Sequence, residues 1–457
     1  MLDRPRILLL LFCLLVGPSC FAQTVSIEQL NGRWNLILET GSRRVEMPAD
    51  LRLGADGNAA LVFLGAVAGE EGIYLGRLTG NQLSLKGRQE RALSELTLTL
   101  SVDRLRGTMV AESVKYAVSG ERVPALVPEV PARQYELLLN AVWQGVKRYY
   151  VNPRLNGIDW NGVRLRHLAA VKASRHDGEM AVAMRRMLRE LGASHLDFFL
   201  AAEKPATTLK TRRVEWRELT KDIGYLALPE FSADDLQAFD RLLDQAIFES
   251  GKYRSLVIDL RGNRGENIEA ALGALNIVMR ESHPIAYFAT REGLARLGVS
   301  SLDQVRPESL PTAFIDEYAK IRGFRGAGMY LGGGKCRLPY PGRLVLLVDE
   351  NCMGSCEVFA AAMKDSGEAT LIGRRTRGSI LFSSQVHFTL TTVTPVSIFR
   401  NQVRGWRLDL PIMDIRTARG RKIEGQGIEP DVPLPADTDE NADLTRVIEW
   451  LAARKQP

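Results

Sequence analysis

The chain has 457 residues, 45% hydrophobic and 25% charged, the balance of an ordinary globular protein with room for roughly two or three domains. Its formal charge of +6 is spread along the sequence, with no Lys/Arg block interleaved with aromatics, which excludes nucleic acid as the expected partner.

Arg4 and Arg6 precede an apolar run over 7–16 that is too short to cross a bilayer comfortably, and Cys20-Phe21-Ala22 follows as a cleavage site. This pattern predicts an export leader over residues 1–22, and a periplasmic or extracellular mature chain. Lipid attachment at Cys20 is the alternative, against which Gly17-Pro18-Ser19 is a poor match to a lipoprotein box. No later stretch is long and apolar enough for a transmembrane helix. The mature chain keeps Cys336, Cys352 and Cys356, an odd number for an oxidising compartment. A Cys336–Cys352 disulfide is expected, with helical geometry disfavouring Cys352–Cys356.

Residues 23–125 show short alternating segments broken by Asp56-Gly57 and Gly80-Asn81, the spacing of an antiparallel β-barrel or sandwich. Trp34, Phe63 and Tyr74 either line a ligand pocket there or fill a small core, and the core is the simpler reading. Pro124, Pro128 and Pro131 mark a linker over 126–133. Apolar residues at helical spacing over 135–146, 163–171 and 180–191 predict a helical unit over 134–205. Gly192 is a suitable stop for its last helix, which leaves Ser194 and His195 in a loop.

From 206 to 457 strands and helices alternate, which predicts an α/β core. Residues 223–228 and 255–260 read as strands; a capped helix is expected from Ser232 to Phe248, and another from Ile268. The turn Arg261-Gly262-Asn263-Arg264-Gly265 lacks the spacing of a phosphate loop. The run 343–350 is apolar without alternation, as in a buried strand, and Asn351-Cys352-Met353-Gly354-Ser355-Cys356-Glu357 then opens an apolar helix. A small nucleophile at such a helix start meets converging backbone N–H groups.

Five blocks, in order, resemble the tail-specific or C-terminal processing serine peptidases, the tricorn-like branch in particular. They are Leu191-Gly192-Ala193-Ser194-His195, Ile223-Gly224-Tyr225-Leu226, the strand and turn from Leu256 to Gly265, the Ser355 elbow with its helix, and the stretch from Ile423 to Asp431. The resemblance implies a crotonase-like sheet and helices, and hydrolysis of protein or peptide substrates without metal or cofactor. It also implies His195 as general base, Ser194 and Glu424 as its supports, Ser355 as nucleophile, and N–H groups of Gly265 and Cys356 as an oxyanion hole.

Several departures follow from the same comparison. The lysine of the family's Ser-Lys branch is Ser379 here, which argues against a dyad. Glu266 replaces a glycine after Gly265. The family nucleophile lies three residues before Glu357, which is Gly354, whereas Ser355 lies two before it. Ser355 as nucleophile, Cys356 as a thiol alternative, and a catalytically silent peptide-binding relative therefore all stand as readings. The stretch 200–222 is too short for the family's PDZ module, and 291–335 reads either as a lid or as a surface insertion.

Overall fold

The computed structural model describes residues 30–40, 43–63, 73–89, 92–101, 103–111, 114–123, 132–174, 177–199, 214–231, 248–249, 253–265, 267–314, 326–332, 340, 342–389, 395–397, 405–435 and 440–454. The expected leader, Cys336, Glu266 and most of the helix expected at 232–248 lie outside them.

Eight antiparallel strands, from β1 (Gly32–Thr40) and β2 (Arg43–Leu53) through β3 (Asn58–Phe63) to β8 (Val114–Val123), form a closed barrel in simple sequential order, with β1 pairing β8 to close it. Closure removes the exposed sheet edges that a sandwich would have to protect. Trp34, Phe63 and Tyr74 are buried in the barrel core, and the rings of Phe63 and Tyr74 meet edge-on at 5.3 Å.

Three helices follow: α1 (Ala132–Tyr149), α2 (Trp160–Lys172) and α3 (Asp177–Arg189). Their apolar faces share a core with Val62 of the barrel, and the Arg185 guanidinium donates to the Phe63 carbonyl at 3.2 Å and to the Phe198 carbonyl at 2.7 Å. The helical unit ends earlier than position 205: β9 (Asp197–Phe199) already pairs with a strand of the following sheet.

The remaining elements are β10 (Glu215–Thr220), β11 (Ile223–Ala227), β12 (Ser255–Asp259), α4 (Ile268–Val278), β13 (His283–Thr290), α5 (Arg291–Arg296), β14 (Thr312–Phe314), β15 (Ala327–Gly332), β16 (Arg343–Val348), α6 (Ser355–Asp365), β17 (Ala369–Gly373), β18 (Phe382–Thr389), β19 (Pro395–Ser397), β20 (Gly405–Thr417), β21 (Val432–Pro433) and α7 (Glu440–Ala453). One six-stranded sheet runs β10-β11-β12-β16-β17-β21, parallel from β11 onward; the other runs β14-β15-β13-β20-β18-β19, with β9 beside β20. Because side chains alternate along a strand, Leu256, Ile258, Leu344 and Leu346 face α4 and α6, whereas Val257, Val345 and Leu347 face α7. Burial on both faces explains why β12 and β16 are apolar without alternation. Parts of the 291–335 segment, read as a lid or a surface insertion, are built into the second sheet as β14 and β15; 315–325 and 333–335 lie outside the described residues.

Candidate active site

Helix α6 is almost wholly buried and follows β16 after the turn 349–354. The turn between them is shaped by Asp349, whose Oδ1 accepts from the backbone N–H groups of Gly262 (2.9 Å), Asn351 (3.1 Å) and Cys352 (3.1 Å). Burial raises the Asp349 carboxyl pKa, and the Gly262 and Asn351 donors oppose that rise. Asn263 ties the neighbouring turn to it: its Oδ1 accepts from Gly265 N–H at 2.9 Å, and its carbonyl accepts from Met353 N–H at 3.2 Å.

Gly354, the residue before α6, holds φ +60° and ψ −129°, a conformation open in practice only to glycine. A Cβ there would stand 2.9 Å from the Gly265 carbonyl oxygen. This sharp turn brings Cys352 and Cys356 to a Cα–Cα separation of 5.6 Å, and they form a disulfide. The expected Cys336–Cys352 pairing is thus overturned. Regular helix geometry was the wrong premise, since the bridge spans the turn before α6 as well as its first residues. Cys356 in a disulfide has no thiolate to offer, so the thiol reading falls too.

The base side of the site comes from the loop after α3. Gly192, at φ +64°, ends the helix as expected, and His195 itself sits at φ +55°, an uncommon position for a residue with a Cβ. Its carbonyl is held by the Ser383 hydroxyl at 2.6 Å. Glu424, 230 residues from Ser194 in sequence, accepts the Ser194 backbone N–H at 2.8 Å and the Ser194 hydroxyl at 2.7 Å, and also Ile380 N–H at 3.1 Å. Ser194 Oγ lies 3.1 Å from His195 Nδ1 and accepts Leu381 N–H at 3.4 Å; Ser379 Oγ is 3.4 Å from the same ring nitrogen.

These contacts favour one tautomer. With the one proton on Ser194 Oγ directed to Glu424, His195 Nδ1 donates to Ser194 and Nε2 carries the lone pair. Desolvation pushes the His195 pKa down to about 4, so the ring is neutral at physiological pH. The Glu424 pKa is raised, first by desolvation, with the Ser194 and Ile380 donors opposing it.

The nucleophile side is not joined to this relay. The Ser355 hydroxyl donates to the Gly265 carbonyl, as does Ser355 N–H at 3.2 Å, and no hydrogen bond links Ser355 with His195 among the described residues. Cys356 N–H donates to Met353 O at 3.1 Å, and Gly265 N–H to Asn263, so both expected oxyanion donors are engaged within their own turns. The two halves are bridged by 376–380 instead: Gly354 N–H donates to the Ser379 carbonyl at 2.8 Å, and Gly425 N–H to the Gly378 carbonyl at 2.7 Å.

In the sequence Ser379 stands only where the family's other branch has a lysine, Glu357 only as a register mark, and Ser383 carries no signal. The signal for Glu357 was present: a carboxylate standing in an otherwise apolar helix, with Val358, Phe359 and Ala360 behind it, must find buried donors. Among the described residues no group of three or more potential metal ligands is found, and no helix is long and apolar enough to cross a membrane.

A neutral imidazole backed by a hydroxyl and a carboxylate is thus tied, through Ser379, to the turn that starts a buried helix on a parallel sheet. Residues 222–434 match the model of peptidase family S41, and residues 131–189 match the tricorn protease C1 domain. Ser194 and His195 fall between the two matched segments. The chain is 26% identical over 222 residues to the chloroplastic carboxyl-terminal-processing peptidase 1 of Arabidopsis thaliana, a match covering 48% of this chain and 35% of that protein. It thus spans about a third of the length of that curated relative. Its fold is similar to that of a candidate peptidase from Parabacteroides merdae (TM-score 0.51, 15% identity, 70% of this chain and 97% of the other). It is also similar to mature CPAF complexed with lactacystin (TM-score 0.50, 11% identity, 71% and 98%).

Proposed function

We propose that the chain is an exported serine endopeptidase, its leader ending near Ala22, that hydrolyses peptide bonds in protein or peptide substrates. His195 is the general base, Ser194 and Glu424 hold it, and Ser355 is the nucleophile. The observation that supports this reading is the Glu424–Ser194–His195 relay, whose donors and acceptors leave a lone pair on Nε2. A relay that orients a neutral imidazole has a direct use when a hydroxyl proton is to be removed.

In this mechanism the Ser355 hydroxyl leaves the Gly265 carbonyl and turns toward Nε2. Nε2 takes the proton as Oγ bonds to the substrate carbonyl carbon. The oxyanion that forms is stabilised by the N–H groups of Cys356 and Gly265, which must first leave the Met353 carbonyl and the Asn263 side chain. His195 then gives its proton to the leaving amine, and water repeats the sequence on the acyl-enzyme. The Glu424 carboxylate, through Ser194, stabilises the imidazolium in between.

A second reading rests on one observation. Gly354, three residues before Glu357, occupies the turned position at φ +60° and ψ −129° without a side chain, while the hydroxyl of Ser355 is committed to Gly265. In that reading the cleft binds peptides and does not cut them. Fluorophosphonate labelling and casein hydrolysis by wild type, Ser355→Ala, His195→Ala and the double variant separate the two. The peptidase reading expects each single substitution to abolish most labelling and turnover, and the double to cost little more, because both residues serve one proton transfer. If Ser355→Ala labels like wild type, the nucleophile is another residue; if wild type neither labels nor cuts, the peptide-binding reading replaces this one.

A further inference from the structure

Glu357 takes no part in the proton transfers just described, yet it is fully buried at the first turn of α6 and holds three donors from one short segment. Its Oε1 accepts from the Thr376 hydroxyl at 2.6 Å and Gly378 N–H at 2.7 Å, and its Oε2 accepts from Ser379 N–H at 2.8 Å. Among the described residues, that segment and Ile380 after it bridge the two halves of the site. Ser379 presents its hydroxyl to His195 Nδ1 and its carbonyl to Gly354 N–H, the Gly378 carbonyl receives Gly425 N–H beside Glu424, and Ile380 N–H reaches Glu424 itself.

We propose that Glu357 is a positioning residue that sets the His195 ring and the Gly354 turn together by clamping residues 376–379. The inference rests on the reading of His195 as the base, and it adds a second carboxyl-centred support to a relay that otherwise ends at Glu424. Two of the clamp's bonds go to backbone N–H groups, so the hold is on the path of the chain and not merely on a rotamer. Thr376 is itself locked from behind, its hydroxyl oxygen accepting Ile428 N–H at 2.7 Å.

The clamp changes with protonation. Burial raises the Glu357 pKa to about 7, with the Thr376, Gly378 and Ser379 donors opposing the rise. The charged group facing it from a neighbouring element is Glu424, whose repulsion adds to it. A proton on either oxygen turns an acceptor into a donor, so one of the three bonds is lost or reversed as pH falls. The Ser379 hydroxyl next to Nδ1 moves with the segment. His195 itself, held neutral down to about pH 4, does not titrate in that range.

Carbon-13 NMR of the imidazole rings tests this without any turnover, since the chain has only five histidines and His195→Gln identifies the signal. The expected result is an inflection of the His195 ring resonance near pH 7, separate from its own titration near pH 4. That inflection is expected to vanish in Glu357→Gln. In Ser379→Ala, which keeps the clamp and its backbone bonds but cuts the hydroxyl link to the ring, it is expected to shrink or vanish. A flat His195 resonance through pH 7 in wild type, or an inflection unchanged in Ser379→Ala, overturns the proposal even if Glu357→Gln fails to fold. Fluorophosphonate labelling of the same wild-type sample keeps the two ideas apart: an inflection without labelling leaves the clamp standing and removes the peptidase reading.

Discussion

Glu424→Gln is a near-isosteric change whose outcome the hydrogen bonds determine. The carboxylate accepts Ser194 N–H on one oxygen, and the Ser194 hydroxyl and Ile380 N–H on the other. A glutamine keeps one acceptor and gains an NH2. If its oxygen faces Ser194 N–H, its amide nitrogen faces Ile380 N–H; if it is flipped, the nitrogen faces Ser194 N–H. Either way one buried backbone donor loses its partner, which costs about 1–3 kcal/mol. In the first orientation the Ser194 hydroxyl accepts from the amide and its proton turns toward His195 Nδ1. That forces the other tautomer, with the proton on Nε2, and removes the base. Urea unfolding should show that destabilisation, and fluorophosphonate labelling should slow by on the order of a hundredfold, the usual scale for a lost general base. A folded variant within about 0.5 kcal/mol of wild type that labels at the wild-type rate refutes the tautomer argument.

The same geometry sets three other outcomes. Gly265→Ala places a Cβ against the Met353 carbonyl and 2.5 Å and 2.6 Å from the backbone nitrogens of Cys356 and Ser355, at φ +59°, so chemical denaturation should show a loss of about 4 kcal/mol or more; a loss under about 1 kcal/mol would mean that the two turns do not touch as described. Cys352→Ser should cost about 2 kcal/mol of unfolding free energy, the chain-entropy value for so short a closed loop, and non-reducing peptide mapping of wild type should recover Cys352 and Cys356 in one linked fragment. The raised Glu357 pKa means that the folded chain holds this proton up to about pH 7 while the unfolded chain releases it near 4.5, so its stabilising contribution is present below that lower value and is lost as pH rises through 7. The stability advantage of wild type over Glu357→Gln should therefore shrink by on the order of 3 kcal/mol across that window, and an advantage that grows with pH contradicts the sign.

Much of this molecule is written in local pattern. Alternation and turn dipeptides announce the barrel, helical spacing announces α1–α3, and unbroken apolar runs announce β12 and β16, because each depends on which face of a short segment meets water. The partnership of Glu424 with Ser194 was also legible, but through resemblance alone: nothing local links residues 230 positions apart. Three-dimensional packing decided the rest. Whether Cys352 pairs with Cys356 depends on the φ of Gly354, and that angle is set by the Gly265 carbonyl pressed against the turn. The direction of the Ser355 hydroxyl is settled by the same carbonyl, which residue spacing along the chain cannot reveal. Glu357 reads in sequence as a stray charge in an apolar helix and becomes a clamp only when the 376–379 segment folds over it, since a buried carboxylate acquires its role from the donors that tertiary structure brings to it.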